Sequence, residues 1–269
     1  MTAPSERPAE TVTAKVEMRV SRRRLQLQMV VPTAPTPPGD LLPLFQSLAN
    51  TFVEAAAAEA ADEGQAVSCK KGCGACCRQL VPITVLEAPR IRALVEALPE
   101  PRRAEIRARF AAARERLGEA GLLGLLREPE RIPGEQLAEL GLEYFGLGVP
   151  CPFLEDESCS IHPERPLACR EYLVTSPAEN CARPTPETVA CVPMPAKVSR
   201  ALRPLLAAAG PHAARWVPLV LAPEWAEAHP EEVPPRPGTD LVRELFEQLT
   251  GRQVAAPPNS LMQADLAGE

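Results

Sequence analysis

Aromatic side chains are scarce in this sequence, at 4% of 269 residues, so leucine, valine and alanine must fill most of any core. Histidine is rarer still: the chain has three, His162, His212 and His229. No Asp/Glu/His constellation beside the other reactive side chains marks a catalytic site. No run of about 18 apolar residues occurs, so no membrane span is expected. The stretch Met1–Thr13 is polar and lacks the apolar centre of a secretory signal, which leads to the expectation of a cytoplasmic protein whose thiols stay reduced. Basic residues are not in excess either. A net charge of −6 provides no global field for nucleic acid, and no nucleic-acid partner is expected. The run Arg22-Arg23-Arg24 reads as exposed charge on a turn.

What the chain does have is a 45% hydrophobic content, enough for a real core, and 32 prolines, about twice ordinary usage. Prolines at that density predict short, interrupted helices. Residues 11–31 alternate apolar and polar side chains on either side of Ser21–Arg24, the pattern of a β-hairpin. Pro32–Gly39 then reads as a strap. Asp40 is placed to cap a helix from Leu41 to Ala61, with Leu41, Leu42, Leu44, Phe45, Leu48, Phe52 and Val53 as its buried stripe. Thr84 and Glu87 have capping-box spacing ahead of a second helix, and Pro101 opens a third that is rich in Arg and Glu. Shorter helices are expected over Leu122–Arg127, Glu135–Phe145, Ala196–Ala209 and Asp240–Leu249. The chain therefore reads as mainly α with short β-hairpins around an irregular cysteine-rich core. Its expected divisions are 1–39 (hairpin and strap), 40–191 (cysteine-cluster domain), 192–251 (helical extension) and 252–269 (a loose tail).

The chemistry sits in the cysteines. Cys69, Cys73, Cys76 and Cys77 fall within nine positions as C-x3-C-x2-C-C, separated by Gly72 and Gly74. Glycines permit positive φ and tight wrapping, so the sulfurs can converge. Converging thiolates need a cation, and a metal ion is the obvious one. A second set follows far downstream. Cys151 and Cys159 flank a predicted hairpin with an acidic turn, Glu155–Ser158; Cys169 follows Arg165-Pro166-Leu167-Ala168, and Cys181 lies in a later loop. Two distant cysteine sets bridged by metal can replace a missing core. Adjacent Cys76 and Cys77 point in different directions, so eight thiols imply two metals, a polynuclear cluster or spare thiols. Lys70, Lys71, Arg78, Arg165 and Arg170 could offset the thiolate charge. His162 has ligand spacing from Cys159 but reads as structural beside so many sulfurs. His212 and His229 read as surface or packing residues, and Cys191, in an apolar setting, as a buried thiol outside the ligand set. The C-x3-C-x2-C spacing is also that of radical S-adenosylmethionine enzymes. Ala75 where those enzymes carry an aromatic, the extra Cys77 and the missing strand–helix alternation all argue against that reading.

Cys69 to Cys77, with Cys151-Pro152-Phe153-Leu154, Cys159-Ser160-Ile161-His162 and Arg165-Pro166-x2-Cys169-Arg170, resembles the YkgJ-type cysteine-cluster family. That family is described as a zinc- or iron-chelating domain and often labelled an Fe–S-cluster protein. The resemblance covers about residues 65–185. It implies metal binding by Cys69, Cys73, Cys76, Cys77, Cys151, Cys159, Cys169 and Cys181, with zinc ion or iron, or an Fe–S cluster, as the cofactor. The family's name implies two residues between its first cysteines, where this chain has three. The position of His162 is often tyrosine in the family, which argues against a ligand there. A similar cluster occurs in flagellin lysine methylases, but no methyl-donor site accompanies it here. The expected function is metal chelation by two cysteine sets, acting through a protein partner. Two alternatives remain: an Fe–S protein for electron transfer or protein modification, and metal delivery or sensing through a labile member of the Cys76–Cys77 pair.

Overall fold

The computed structural model describes residues 10–70, 72–185, 187–207, 216–230 and 233–251, with the backbone of 262–263. The chain opens with a hairpin, β1 (Thr11–Val20) and β2 (Arg23–Pro32), then β3 (Pro35–Thr36), a 3-10 turn and α1 (Leu42–Asp62). After the first cysteine segment come β4 (Pro82–Thr84), α2 (Glu87–Glu96), α3 (Arg102–Glu119), α4 (Leu123–Arg127) and α5 (Leu137–Gly146). The second segment holds β5 (Leu154–Glu155), β6 (Ser158–Cys159) and the one-turn α6 (Leu167–Arg170). Then follow α7 (Val198–Ala207), β7 (Trp216–Pro218), α8 (Ala222–Ala228), β8 (Arg236–Pro237), α9 (Gly238–Thr250) and β9 (Met262–Gln263). The architecture is mainly helical with short strand pairs, as expected.

Strand order in the largest sheet is β2-β1-β9, with β9 parallel to β1 at Val16↔Met262 and Glu17↔Gln263. The other pairs, β3-β8, β4-β7 and β5-β6, are antiparallel. Of the expected tail, 252–269, only Met262–Gln263 fall within the described residues, where they pair with β1. One continuous core runs from the inner face of the hairpin (Val16, Met18, Val31) through Phe45 and Phe52 of α1 to Leu202 of α7 and Phe246 of α9. The β7 and α8 segments have no counterpart in the sequence reading. Their short, proline-broken pattern gives neither period enough length to register.

The hairpin closes more tightly than its sequence suggested. Val20 pairs with Arg23, leaving Ser21-Arg22 as a two-residue turn, with Ser21 at φ 51°, the positive φ that short hairpin turns require. The arginines there are exposed but not idle. Arg22 bonds Glu59 at 2.9 Å and also Glu63, while Arg23 bonds Asp62. These carboxylates crowd the C-terminal end of α1, where the helix dipole disfavours negative charge, and the arginines offset them. The expected Asp40 cap is absent; no side chain caps α1, and a 3-10 turn, Pro38–Leu41, leads into it. Leu44 and Val53 are half-buried. Ala49, Ala55, Ala56 and Ala60 are buried instead, so the alanine-rich half of α1 packs closely as well as favouring helix.

Glu87 ties this scaffold to the second cysteine segment. Its carboxylate is buried and accepts from Thr84 N at 2.8 Å and Thr84 Oγ1 at 3.0 Å, the capping-box partner expected from sequence. It also accepts from Leu167 N at 2.7 Å, so one side chain ties the turn ahead of α2 to the first turn of α6. Beside it, buried Arg170 donates to Arg165 O at 2.9 Å, to Pro163 O and to Asn50 Oδ1 of α1 at 3.1 Å. Glu171 accepts from Ser199 N at the start of α7. Glu87→Ala strands three buried donors, and the expected loss is about 3 kcal/mol by urea unfolding. Glu96→Ala, at an exposed pair with Arg107, leaves the midpoint nearly unchanged. Burial raises the Glu87 carboxyl above its ordinary 4.5, against the opposing pull of Thr84 and Leu167. A raised carboxyl stabilises the fold most below the ordinary value, and that contribution fades as pH climbs through the folded one. Glu87→Gln is therefore expected to flatten the fall of stability above pH 4.5.

Candidate metal centre

The first cysteine segment reverses direction at Gly72, which holds φ 86°. Cys73 N then bonds Lys70 O at 3.1 Å. Gly74 serves another purpose. Its φ is −96°, so positive φ is not what it provides, contrary to the sequence expectation. An added Cβ would lie 2.6 Å from Leu154 Cδ1 and 3.1 Å from Glu157 Cα. Close approach of the second segment is what requires glycine there. The 3-10 turn Ala75–Arg78 follows and carries Cys76 and Cys77.

The second segment docks directly onto this turn. Cys151 N donates to Cys77 O at 2.7 Å, and Arg78 forms a two-point pair with Glu157 at 2.6 and 3.0 Å. The predicted hairpin is present and short: β5 and β6 pair Leu154 with Cys159 and Glu155 with Ser158. Asp156 and Glu157 make the turn at φ 46° and 55°, a two-residue hairpin geometry that limits the ladder. Cys151 and Cys159 pack against the main core. Cys169 sits on α6, the turn that Glu87 caps.

Further on, the 3-10 turn Ala178–Ala182 buries Cys181 and packs on the Ala75–Arg78 turn. A cleft of about 730 Å³ opens beside these two turns, with Leu142, Phe145 and Arg183 in its wall. Cys191 is exposed, which corrects its expectation as a buried thiol: the apolar neighbour that turns inward is Val192. Cys191 forms an antiparallel bridge with Val174. Val174 N in turn lies 3.4 Å from Cys69 Sγ, and Ser68 N bonds Val174 O at 2.9 Å.

All nine cysteines are free thiols. A hydrogen bond donated by its own thiol to Cys77, then burial, raises the Cys76 thiol far above its usual value. Burial pushes Cys151 up to about 12 and Cys169 well above the ordinary range, and it raises Cys69, Cys159 and Cys181 as well. Cys76 and Cys77 ride on the 3-10 turn that Cys151 bonds, where the two segments meet. Arg165 is the cation that pulls Cys76 and Cys159 down. Arg78 and Arg170 are committed to Glu157 and to backbone carbonyls, and Lys71 lies outside the described residues. His162 bonds Arg165 through Nε2; burial, then Arg165 and Arg170, lower its pKa. His229 stacks on Trp225 at 4.4 Å, a packing role as expected, and His212 lies outside the described residues.

Among the described residues, no three Cys, His, Asp or Glu side chains already enclose a metal-sized point. The donors nonetheless suit a soft metal: they are sulfur only and reduced, and burial favours the neutral thiol at Cys69, Cys151, Cys159, Cys169 and Cys181 until a cation displaces the proton. Residues 68–191 match the family model described as "CxxCxxCC: Putative zinc- or iron-chelating domain". The matched stretch, a little under half of the chain, is similar to that domain. All nine cysteines fall within it, and Cys191 is its last matched residue. No curated protein and no solved structure matched the chain. No helix among the described residues is long and apolar enough to cross a membrane. Because Gly74 admits the β5–β6 hairpin, Gly74→Ala is expected to cost the CxxCxxCC domain about 1–3 kcal/mol through overpacking. Gly124→Ala, on an open face of α4, leaves the thermal midpoint unchanged or slightly raised.

Proposed function

We propose that the CxxCxxCC domain chelates zinc or iron with thiols from both cysteine segments. Cys69, Cys73, Cys76 and Cys77 come from the first, and Cys151, Cys159, Cys169 and Cys181 from the second. The metal's role in this reading is to lock the two segments together. The observation that carries it is the Cys151 N to Cys77 O bond of 2.7 Å, which sets the second cysteine segment directly on the turn that bears Cys76 and Cys77. Sulfur-only donors suit tetrahedral zinc and iron–sulfur centres alike. Since the thiols stand near one another without forming a closed cage, binding has to draw them inward, release their protons and order the loops that bear them. A reducing compartment such as the cytoplasm keeps nine such thiols free.

An iron–sulfur centre in this position would serve electron transfer or support modification of a partner protein. Zinc would serve closure alone. Elemental analysis with a visible spectrum on anaerobically purified protein tells the two apart. Stoichiometric zinc in a colourless protein, or iron with a band that bleaches on reduction, supports chelation. A metal-free protein that takes up neither ion would overturn the reading.

A further inference from the structure

The N-terminal sheet has one open edge. Its strand order is β2-β1-β9, so β1 is paired on both sides and β2 on one. Val20 and Arg23 close a two-residue turn, which makes them a hydrogen-bonded pair, and such pairs alternate along the ladder from there. Arg23, Leu25, Leu27 and Met29 therefore turn their N–H and C=O groups to β1, while those of Arg24, Gln26, Gln28 and Val30 point away from it. Among the described residues no other segment bonds these four backbone positions. Their side chains share the solvent face and are exposed, Val30 at 66%. Edges of this length are ordinarily blunted by a bulge, a proline or a lysine. β2 keeps an unbroken register with β1 and has neither proline nor lysine before Pro32. Its one outward charge, Arg24, is paired with Glu17 at 3.0 Å. The opposite face carries the core out to this edge. Leu25 and Leu27 pack against the core yet stay half-exposed, so the apolar surface ends where the strand does.

We infer that β2 pairs antiparallel with β2 of a second copy of this chain, across a two-fold axis at Leu27, joining two sheets into one. The outward groups set the register. With Leu27 opposite Leu27 of the second copy, Arg24 falls opposite Val30 and Gln26 opposite Gln28, and every outward residue from Arg24 to Val30 gains a partner. Sliding one step toward Pro32 puts a residue without an N–H in a hydrogen-bonding position. Sliding the other way spends Val30 on Arg22 of the turn. The side chains agree with the central register. No like charges face each other, and the glutamines can exchange amide hydrogen bonds. On the core face Leu27 meets Leu27 and Leu25 meets Met29 as the closer, non-hydrogen-bonded pairs, so the half-exposed leucines are covered. A parallel, in-register arrangement would instead set Arg24 beside Arg24. The two-fold arrangement also closes: each β2 edge is consumed by the other, so this contact stops at two chains. It is one strand wide, small beside obligate interfaces, and the dimer should come apart on dilution. It uses no cysteine and stands apart from metal chelation.

Sedimentation velocity of the full chain, under reducing conditions that exclude intermolecular disulfides, reads the assembly directly. From about 1 to about 100 μM the protein is expected to pass from one chain to two, with or without a chelator. Val30 is exposed, so its substitution leaves the core untouched. Because it faces Arg24 of the second copy, Val30→Lys should weaken the dimer and Val30→Glu strengthen it, each by about fivefold in dissociation constant. Amide hydrogen exchange at residue resolution gives a readout on the unaltered protein. Gln26 and Gln28 should gain protection as concentration rises, while Leu25 and Leu27 are protected throughout. One chain at every concentration would overturn the proposal. So would a dimer that Val30→Lys and Val30→Glu shift in the same direction, or one whose Gln26 and Gln28 amides exchange alike at both ends of the concentration range, since that dimer would be built on another surface.

Discussion

A single main-chain hydrogen bond, Cys151 N to Cys77 O at 2.7 Å, joins segments more than seventy residues apart, and the thiol cluster depends on that junction. It forms because Gly74 has no Cβ to hold the β5–β6 hairpin away, and because Arg78 grips Glu157 on the far side of the same turn. Both contacts are local and small. Together they set the cysteines of one segment beside those of the other.

The remainder of the fold braces that junction from behind. Glu87 carries the constraint from β4 and α2 into α6, and so to Cys169; Arg170 carries it from α6 into α1. Glu171 extends it to α7. These buried charged groups are costly unless fully bonded, and each spends its polar atoms on backbone groups of the cysteine loops or the helices beside them. The second cysteine segment also anchors in the core through Phe153, Ile161 and Leu167, and metal–sulfur bonds would add a link between the two segments.

Much of the helical scaffold was legible in the sequence because long periodic segments announce themselves. The hairpin, α1, α3 and the Thr84–Glu87 pair fall where alternation, leucine spacing and capping chemistry put them. The second bond of Glu87, to Leu167, was not legible, since no local signal names a partner eighty positions away. The role of Gly74 was misread for a similar reason: spacing suggests a turn glycine, but close approach is visible only once Leu154 and Glu157 are in place. Cys191 was misjudged from its apolar neighbours. A strip bridging to Val174 alternates its faces, so Val192 goes inward and Cys191 outward.

In this account the metal completes a fold that the chain has nearly assembled, in a domain whose donors are sulfur and whose nearby histidine is bonded to Arg165 instead. The most direct measurement is X-ray absorption at the zinc and iron edges of anaerobically purified protein. The account predicts a first shell of about four sulfurs per metal near 2.3 Å, without a light-atom contribution from imidazole or carboxylate. A first shell dominated by nitrogen or oxygen would contradict it.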